Sequence, residues 1–168
     1  EERKRRPLPE FRYTGNDRAL AAIISYQQEQ YKEKEGQGCW IPGFIIFKRV
    51  WEGDQYLVFG YFGGIGYRKI GNILQCVDGS NDPACFHLKK TADGYQVQKV
   101  DYTGDGAFYG KGIRKFTRNY PGLYKKYFHF DNNKKKKNHL RYLQMYVKNN
   151  DLDVKYYMIS EDPVKIFK

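Results

Sequence analysis

The chain has 168 residues, of which 40% are hydrophobic and 17% aromatic, with Tyr the most frequent aromatic at 16. Because disordered chains are poor in aromatics, and a chain of this length buries roughly 70% of its unfolded surface, the composition excludes a disordered protein and predicts one folded domain. The net charge of +11 favours attraction to polyanions, and the lack of any apolar run of about 18 residues predicts no membrane span.

The first part of the chain is basic and then helical. Residues 1–12 contain the run ERKRR and two prolines, and we predict that they form a flexible basic lead-in to a single domain of residues 13–168. The segment Asn16–Lys32 predicts the first helix, because Asn16 can cap it and its apolar residues recur at helical spacing. The second basic run, Lys134–Lys137, is interpreted like the first as a solvated end or loop edge, with anion binding as the alternative.

Between Cys39 and Tyr102 the hydrophobic residues alternate with a period of two, which predicts an antiparallel meander of five strands. The predicted strands are residues 40–51, 55–68, 73–77, 85–90 and 95–102. Alternation directs one set of side chains inward, namely Ile73, Val77, Phe86, Leu88, Tyr95 and Val97. The opposite face then carries Cys76, Cys85, His87, Lys89, Gln96 and Gln98.

The stretch YLVFGYFGGIGYRKIG, residues 56–71, holds five glycines. A dinucleotide-binding loop needs G-x-G-x-x-G between a strand and a helix, but Gly64-x-Gly66 is not followed by the third glycine, and the next predicted element is a strand. The Gly-Lys-Ser/Thr of a P-loop and the ordered aromatic submotif of an RNA-binding sheet are also missing from the sequence. The stretch therefore predicts a strand that bends at its glycines rather than a phosphate-binding loop.

Cys76 and Cys85 flank the segment VDGSNDPA, whose composition predicts a loop between two strands. We predict a disulfide between Cys76 and Cys85 across this hairpin, with Cys39 as a free thiol. Such a bond would stabilise the fold by about 2–3 kcal/mol and would indicate a compartment outside the cytosol. The alternative is three buried thiols in a cytosolic protein.

The last third of the chain returns to a helical pattern. We predict a broken helix over residues 104–120, a short helix over 121–128, a longer helix over 138–150 and a final short strand within 153–159. The order of elements predicts the α+β class, with an N-terminal helix packed on a curved antiparallel sheet and with C-terminal helices.

The residue types that carry catalysis or bind metals do not form a recognised motif. A zinc site from Cys76, Cys85 and His87 lacks the C-x-x-C spacing and a fourth ligand, and no G-x-S-x-G elbow is present. Asp101 and Asp105 are interpreted as turn-forming or capping residues. We therefore predict no catalytic residue, no metal site and no cofactor.

Four segments together resemble a family of uncharacterised secreted lipoproteins of Gram-positive bacteria. The matching segments are Ile41–Phe47, Phe59–Phe62, the run HLKKTADGYQVQKVD at His87–Asp101 and the run VKNNDLDVKYYMISEDPV at Val147–Val164. The resemblance implies a cystatin-like, also called nuclear-transport-factor-like, roll in which the sheet wraps the first helix. It further implies an extracytoplasmic location, at the cell surface or secreted, and a lipid anchor upstream of Glu1. It implies no catalytic residues.

We therefore predict a noncatalytic extracytoplasmic module that binds a protein or small-molecule partner through an aromatic sheet face. The residues assigned to this face are Trp51, Tyr61, Tyr67 and Arg68. A small-molecule enzyme of the same roll is one alternative, and it requires an ionisable side chain pointing into a closed pocket. A weak binder of polyanions, cell-envelope polymers or nucleic acid is the other.

Overall fold

A computed structural model of the protein describes residues 7–168. Its elements in chain order are α1 (Arg18–Glu33), β1 (Cys39–Glu52), β2 (Gln55–Ile70), β3 (Ile73–Thr91), β4 (Gly94–Tyr102), α2 (Ala107–Thr117), α3 (Leu123–Lys126), α4 (Asn132–Asn149), β5 (Tyr156–Met158) and β6 (Val164–Lys165). The α+β class is confirmed: an N-terminal helix precedes a strongly curled, mostly antiparallel sheet, and helices follow it. Among the described helices, none combines the length and the apolarity that crossing a membrane requires.

The sheet is built around β3, its longest strand. β1, β2 and β3 form an antiparallel meander, and both β4 and β5 pair with the other edge of β3. β4 covers the Ala84–Thr91 half of β3, whereas β5 pairs in parallel with Ile73–Gln75 at the opposite end. The short strand β6 completes the sheet beside β5.

The predicted loop between Cys76 and Cys85 does not exist, because β3 runs continuously from Ile73 to Thr91. Throughout this segment β3 pairs with β2, for example Gly79 with Ile65 and Pro83 with Tyr61. Neither β4 nor β5 reaches the middle of β3, so this section has a neighbour on one side only. Pro and other turn-forming residues are tolerated on such an edge, where a missing N–H leaves no ladder bond unmade.

The predicted disulfide is wrong for the same reason. Cys76 pairs with Tyr67 near one end of the meander, and Cys85 pairs with Phe59 near its middle. At about 3.3 Å per residue along a strand, the two cysteines are separated by roughly 30 Å, far beyond the roughly 7 Å that a disulfide can span. Cys39, Cys76 and Cys85 are all free. An extracytoplasmic location therefore rests on the family resemblance alone.

One face of the sheet, here called the α1 face, is covered by α1 and α4. Leu74, Phe86 and Leu88 project from β3 into this core, and all three are fully buried. The inward positions predicted for Phe86 and Leu88 are therefore confirmed, but Val77 is 36% exposed and Leu74 takes the inward place. Leu74, Phe86 and Leu88, all at even-numbered positions, point into the same core, whereas the predicted inward set placed odd-numbered Ile73 and Val77 with even-numbered Phe86 and Leu88 across the supposed loop.

The other face of the sheet, the α2 face, is covered by α2 and α3. Phe59 and Cys85 pack there against Ile113 of α2 and Leu123 of α3, with Tyr127 beside them. The Tyr127 hydroxyl donates to the Ala84 carbonyl oxygen at 2.9 Å, which fixes this layer to β3. The sheet is thus buried on both faces rather than open on one.

The predicted lead-in of residues 1–12 is only partly described, since residues 1–6 lie outside the described part of the chain. The rest of it is packed: Phe11 is 2% exposed, and its carbonyl oxygen accepts from Gln28 Nε2 at 2.9 Å. Helix α1 begins one residue later than predicted, because Asp17 rather than Asn16 is its N-cap. Asp17 Oδ2 also lies 2.9 Å from Arg49 Nη1, which ties the start of α1 to β1.

Candidate functional site

A cavity of about 540 Å³ lies between the first half of α4 and the glycine-containing sections of β1, β2 and β3. Its sheet wall includes Gly79, where a Cβ would meet only ordinary contacts, and Gly64, where a Cβ would overlap the Trp40 indole. Both glycines belong to continuous strands, and Gly64 pairs with Pro42 on one side and Ser80 on the other. The glycine-rich stretch is therefore a strand, as predicted, and its Gly64 and Ile65 form part of the cavity wall.

His139 of α4 lies at the base of this cavity, and both of its ring nitrogens are hydrogen-bonded. Nδ1 is 2.9 Å from the Pro42 carbonyl oxygen, and Nε2 is 2.6 Å from the Tyr67 hydroxyl. A carbonyl oxygen only accepts, so Nδ1 carries the proton and Nε2 accepts from Tyr67. His139 is 7% exposed, and burial lowers its pKa below the ordinary 6.5, which keeps the ring neutral.

Two lysines of α4 form the charged part of the cavity wall. Lys135 lies one helical turn before His139, and Lys136 follows it. Lys135 is half-buried, its Nζ lies 5.9 Å from the centre of the Tyr61 ring, and burial lowers its pKa. In the described chain no carboxylate lies within 4 Å of either ammonium group, and the cavity lining contains no Asp or Glu. The cavity is therefore electropositive.

The remaining wall is largely apolar. Ile65 of β2, Tyr157 of β5 and Ile159 after it line the side of the cavity, and Cys76 of β3 contributes a thiol. Burial and the Asp78 carboxylate raise the pKa of Cys76, so the thiol is protonated at neutral pH. The cavity thus combines an apolar surface with two cationic groups and one neutral imidazole edge.

The four residues assigned to an aromatic binding face do not share a face. Tyr67 is 1% exposed in the core of the α1 face, whereas Tyr61 is buried on the α2 face, because a bulge between Gly66 and Tyr67 shifts the alternation. Arg68 is exposed and donates to Gln75 Oε1 at 2.7 and 2.9 Å. Of these four residues, two contact side chains that line the cavity: Tyr67 is hydrogen-bonded to His139, and the Tyr61 ring lies beneath the ammonium group of Lys135.

The last of the four, Trp51, lies at the far end of β1 and is 46% exposed. Its ring is tilted against that of Tyr56 of β2, with ring centres 5.0 Å apart, and the ring centre of Tyr95 of β4 lies 6.3 Å from it. This small aromatic cluster is separate from the cavity.

Sequence reasoning missed His139 and the cavity lysines. The prediction treats Lys134–Lys137 as a solvated run, yet it lies across the first and second turns of α4, which begins at Asn132. The spacing of Lys135 and His139 is the signal that was available, because residues i and i+4 lie on one side of a helix. This spacing indicates that the two residues share a helix face, but it does not indicate which strands that face covers.

Comparisons of the chain with protein-family models, with curated proteins and with solved structures found no match.

Proposed function

We propose that this protein is a noncatalytic binding module whose cavity beneath α4 holds a small amphipathic molecule with an anionic group. The observation that carries the proposal is Lys135, a half-buried ammonium group that lines a largely apolar cavity and has no carboxylate partner among residues 7–168. Desolvation disfavours its charged form, and a bound anion would offset that cost. Lys136, on the same wall, adds a second positive charge.

The apolar part of the ligand would contact Ile65, Tyr157 and Ile159. The volume of about 540 Å³ falls within the range of roughly 300–1,000 Å³ that is usual for small-molecule sites. The polar side chains of Ser80, Asn81 and Asn132 also line the cavity and can form hydrogen bonds with a ligand. A ligand with one charged end and an apolar body matches this distribution.

Binding is favoured over catalysis by the state of His139. A general base needs a free lone pair within reach of the proton that it removes. The Nε2 lone pair of His139 already accepts from Tyr67, and Nδ1–H already donates to Pro42. His139 therefore positions α4 on the sheet, and proton transfer to a ligand would require breaking a buried hydrogen bond.

The family resemblance supports one further part of the proposal, that the module acts outside the cytoplasmic membrane and is held there by a lipid anchor. Fractionation of cells that produce the full-length gene product tests this part separately. Recovery of the protein in the cytosolic fraction would contradict the location without affecting the cavity.

Calorimetric titration with octanoate and with octanol tests the binding function. We expect octanoate to bind at least about tenfold more tightly than the uncharged alcohol, a difference of about 1.4 kcal/mol. Lys135→Gln should remove most of this preference. The matched control is Lys134→Gln, which removes the same charge from an exposed neighbour that does not line the cavity.

A second variant tests the place of binding. Gly79→Val adds three carbons at the cavity wall, where a Cβ would meet its nearest neighbours at 3.4 Å or more. We expect the variant to fold and to lose octanoate and octanol binding alike. Equal losses in Lys134→Gln and Lys135→Gln, or full binding by Gly79→Val, would show that the ligand binds elsewhere.

A further inference from the structure

A thiol, an imidazole and a carboxylate meet on the α2 face, away from the cavity just described. Cys85 of β3 and Asp101 of β4 are direct cross-strand partners, and His87 follows on the same face of β3. Cys85 Sγ, a ring nitrogen of His87 and a carboxylate oxygen of Asp101 all lie within 4.8 Å of one another. The predicted hairpin of these two strands does not by itself bring the three side chains together, because a bulge between His87 and Leu88 shifts the register and places Cys85 opposite Asp101.

We propose that Cys85 Sγ, His87 Nε2 and Asp101 Oδ2 form a binding site for a divalent transition-metal ion, with Zn²⁺ as the best-matched ion. Thiolate and imidazole ligands select Zn²⁺ and similar borderline ions, whereas Mg²⁺ and Ca²⁺ prefer oxygen alone. The three groups line a second cavity of about 330 Å³, which leaves space for a fourth ligand. Three protein ligands with one open position is the arrangement of zinc sites that bind a further small molecule.

The partner of the second ring nitrogen supports this assignment. His87 Nδ1 lies 3.1 Å from Gln55 Oε1. An amide oxygen only accepts, so Nδ1 carries a proton, and Nε2 is the nitrogen directed at Asp101. Metal-binding histidines generally donate their other N–H to an oxygen in this way, which sets the ring orientation.

The His87 and Asp101 ligand atoms need only a small movement to admit the ion. His87 Nε2 and Asp101 Oδ2 lie 2.7 Å apart and are joined by a hydrogen bond. A tetrahedral ion that bonds nitrogen and oxygen at about 2.0 Å holds the two ligand atoms about 3.3 Å apart. The distance between Nε2 and Oδ2 must therefore increase by about 0.6 Å. Rotation of the partly exposed Asp101 side chain can supply this increase.

The surrounding positive charges do not oppose the replacement of protons by the metal ion at this site. Lys99 Nζ lies 3.8 Å from Asp101 Oδ1, and Lys115 and Arg118 line the same cavity. The ion displaces the hydrogen of the His87–Asp101 hydrogen bond and the thiol hydrogen of Cys85, both released as protons, so that one divalent cation replaces two protons. The net charge of the site is unchanged, and the lysines and the arginine meet no added repulsion. Lys99 keeps its contact with Oδ1 while Oδ2 turns to the metal.

A nucleophilic thiol is the other chemistry that this set of residues suggests, and the geometry disfavours it. A Cys–His nucleophile needs a ring nitrogen free to accept the thiol proton. Both nitrogens of His87 are already directed at other partners, Gln55 and Asp101. Within residues 7–168, no hydrogen bond joins Cys85 Sγ to His87.

Titration of the reduced protein with Co²⁺, followed by absorption spectroscopy, tests the site. A thiolate-to-cobalt charge-transfer band should saturate at one ion per chain, and Zn²⁺ should displace the cobalt and abolish the band. Cys85→Ser should lack the band, whereas Cys76→Ser and Cys39→Ser should keep it. Asp101→Asn should keep the band and bind Co²⁺ at least about tenfold more weakly.

Several outcomes would overturn the proposal. They are the absence of the band in the unmodified protein, its persistence in Cys85→Ser, and unchanged affinity in Asp101→Asn. Circular dichroism of each variant establishes that it is folded. If Cys85→Ser does not fold, the Asp101→Asn variant still tests the proposal, because Asp101 is partly exposed and its substitution should be tolerated. The readout is independent of octanoate binding, so the two proposals can fail separately.

Discussion

The Tyr67 hydroxyl donates to His139 Nε2 across 2.6 Å, and this buried hydrogen bond joins the end of β2 to the middle of α4. The other ring nitrogen of His139 donates to Pro42 of β1. One side chain thus holds α4 against two strands at the base of the cavity. Lys135, one turn earlier on α4, is directed toward the cavity as a consequence.

Removal of the Tyr67 hydroxyl should destabilise the fold. In Tyr67→Phe the buried Nε2 of His139 keeps its lone pair but loses its donor, which costs about 1–3 kcal/mol. Urea denaturation measures the change. Tyr102→Phe is the control, because Tyr102 is half-exposed, and its change should stay within about 0.5 kcal/mol. Equal effects of the two substitutions would show that the hydrogen bond does not hold α4 in place.

Stability should decrease as the pH falls below 6.5, the ordinary pKa of histidine. Burial lowers the pKa of His139 in the folded state, so the unfolded chain takes up the proton first. The stabilisation from neutral His139 is complete above pH 6.5 and is lost progressively below it. Melting temperatures between about pH 7.5 and about pH 5, compared with those of His139→Gln, isolate this contribution. A variant with the same pH slope as the unmodified protein would contradict the prediction.

Gly63 should tolerate no side chain. A Cβ at Gly63 would overlap the Ser80 carbonyl oxygen, and a backbone atom in a paired strand cannot move aside cheaply. We expect Gly63→Ala to lower the free energy of unfolding by at least about 2 kcal/mol. Gly79→Ala in β3 is the matched control, because its Cβ would meet only ordinary contacts. Denaturant unfolding of both variants decides whether close strand approach is the reason for glycine at position 63.

All three cysteines should be free thiols. Alkylation of the unfolded, unreduced chain should modify Cys39, Cys76 and Cys85, as mass spectrometry would show. In the folded protein Cys85 should react most slowly, because it is buried while the other two are partly exposed. Modification of a single cysteine in the unfolded chain would instead indicate a disulfide between the remaining two.

Local patterns predicted much of the fold. The helix predicted over Asn16–Lys32 corresponds to α1 at Arg18–Glu33, and the first two strands match β1 and β2 to within a few residues. These elements have long, consistent periodicities, which local propensity and burial both favour. Helix α4 begins earlier than the predicted 138, at Asn132, because its first two turns are polar and basic and carry no apolar period.

The misplaced features all depend on pairing between distant residues. Turn-forming residues at Asp78–Pro83 lie in a strand because β2 supplies partners along their whole length. Tyr61 and Tyr67 would share a face by simple alternation, but the bulge beside Gly66 separates them. No local pattern in the sequence shows which edge is paired or where a bulge falls, since both depend on the neighbouring strand.

The sequence by itself determined the α+β class, the first helix and the strand character of the glycine-rich stretch, because periodicity and capping act over a few neighbouring residues. Only the tertiary structure decided that His139 meets Tyr67 and that Cys85, His87 and Asp101 converge. The first contact joins segments 72 residues apart and depends on how α4 packs on the sheet, whereas the second depends on the bulge that sets the register of β3 with β4.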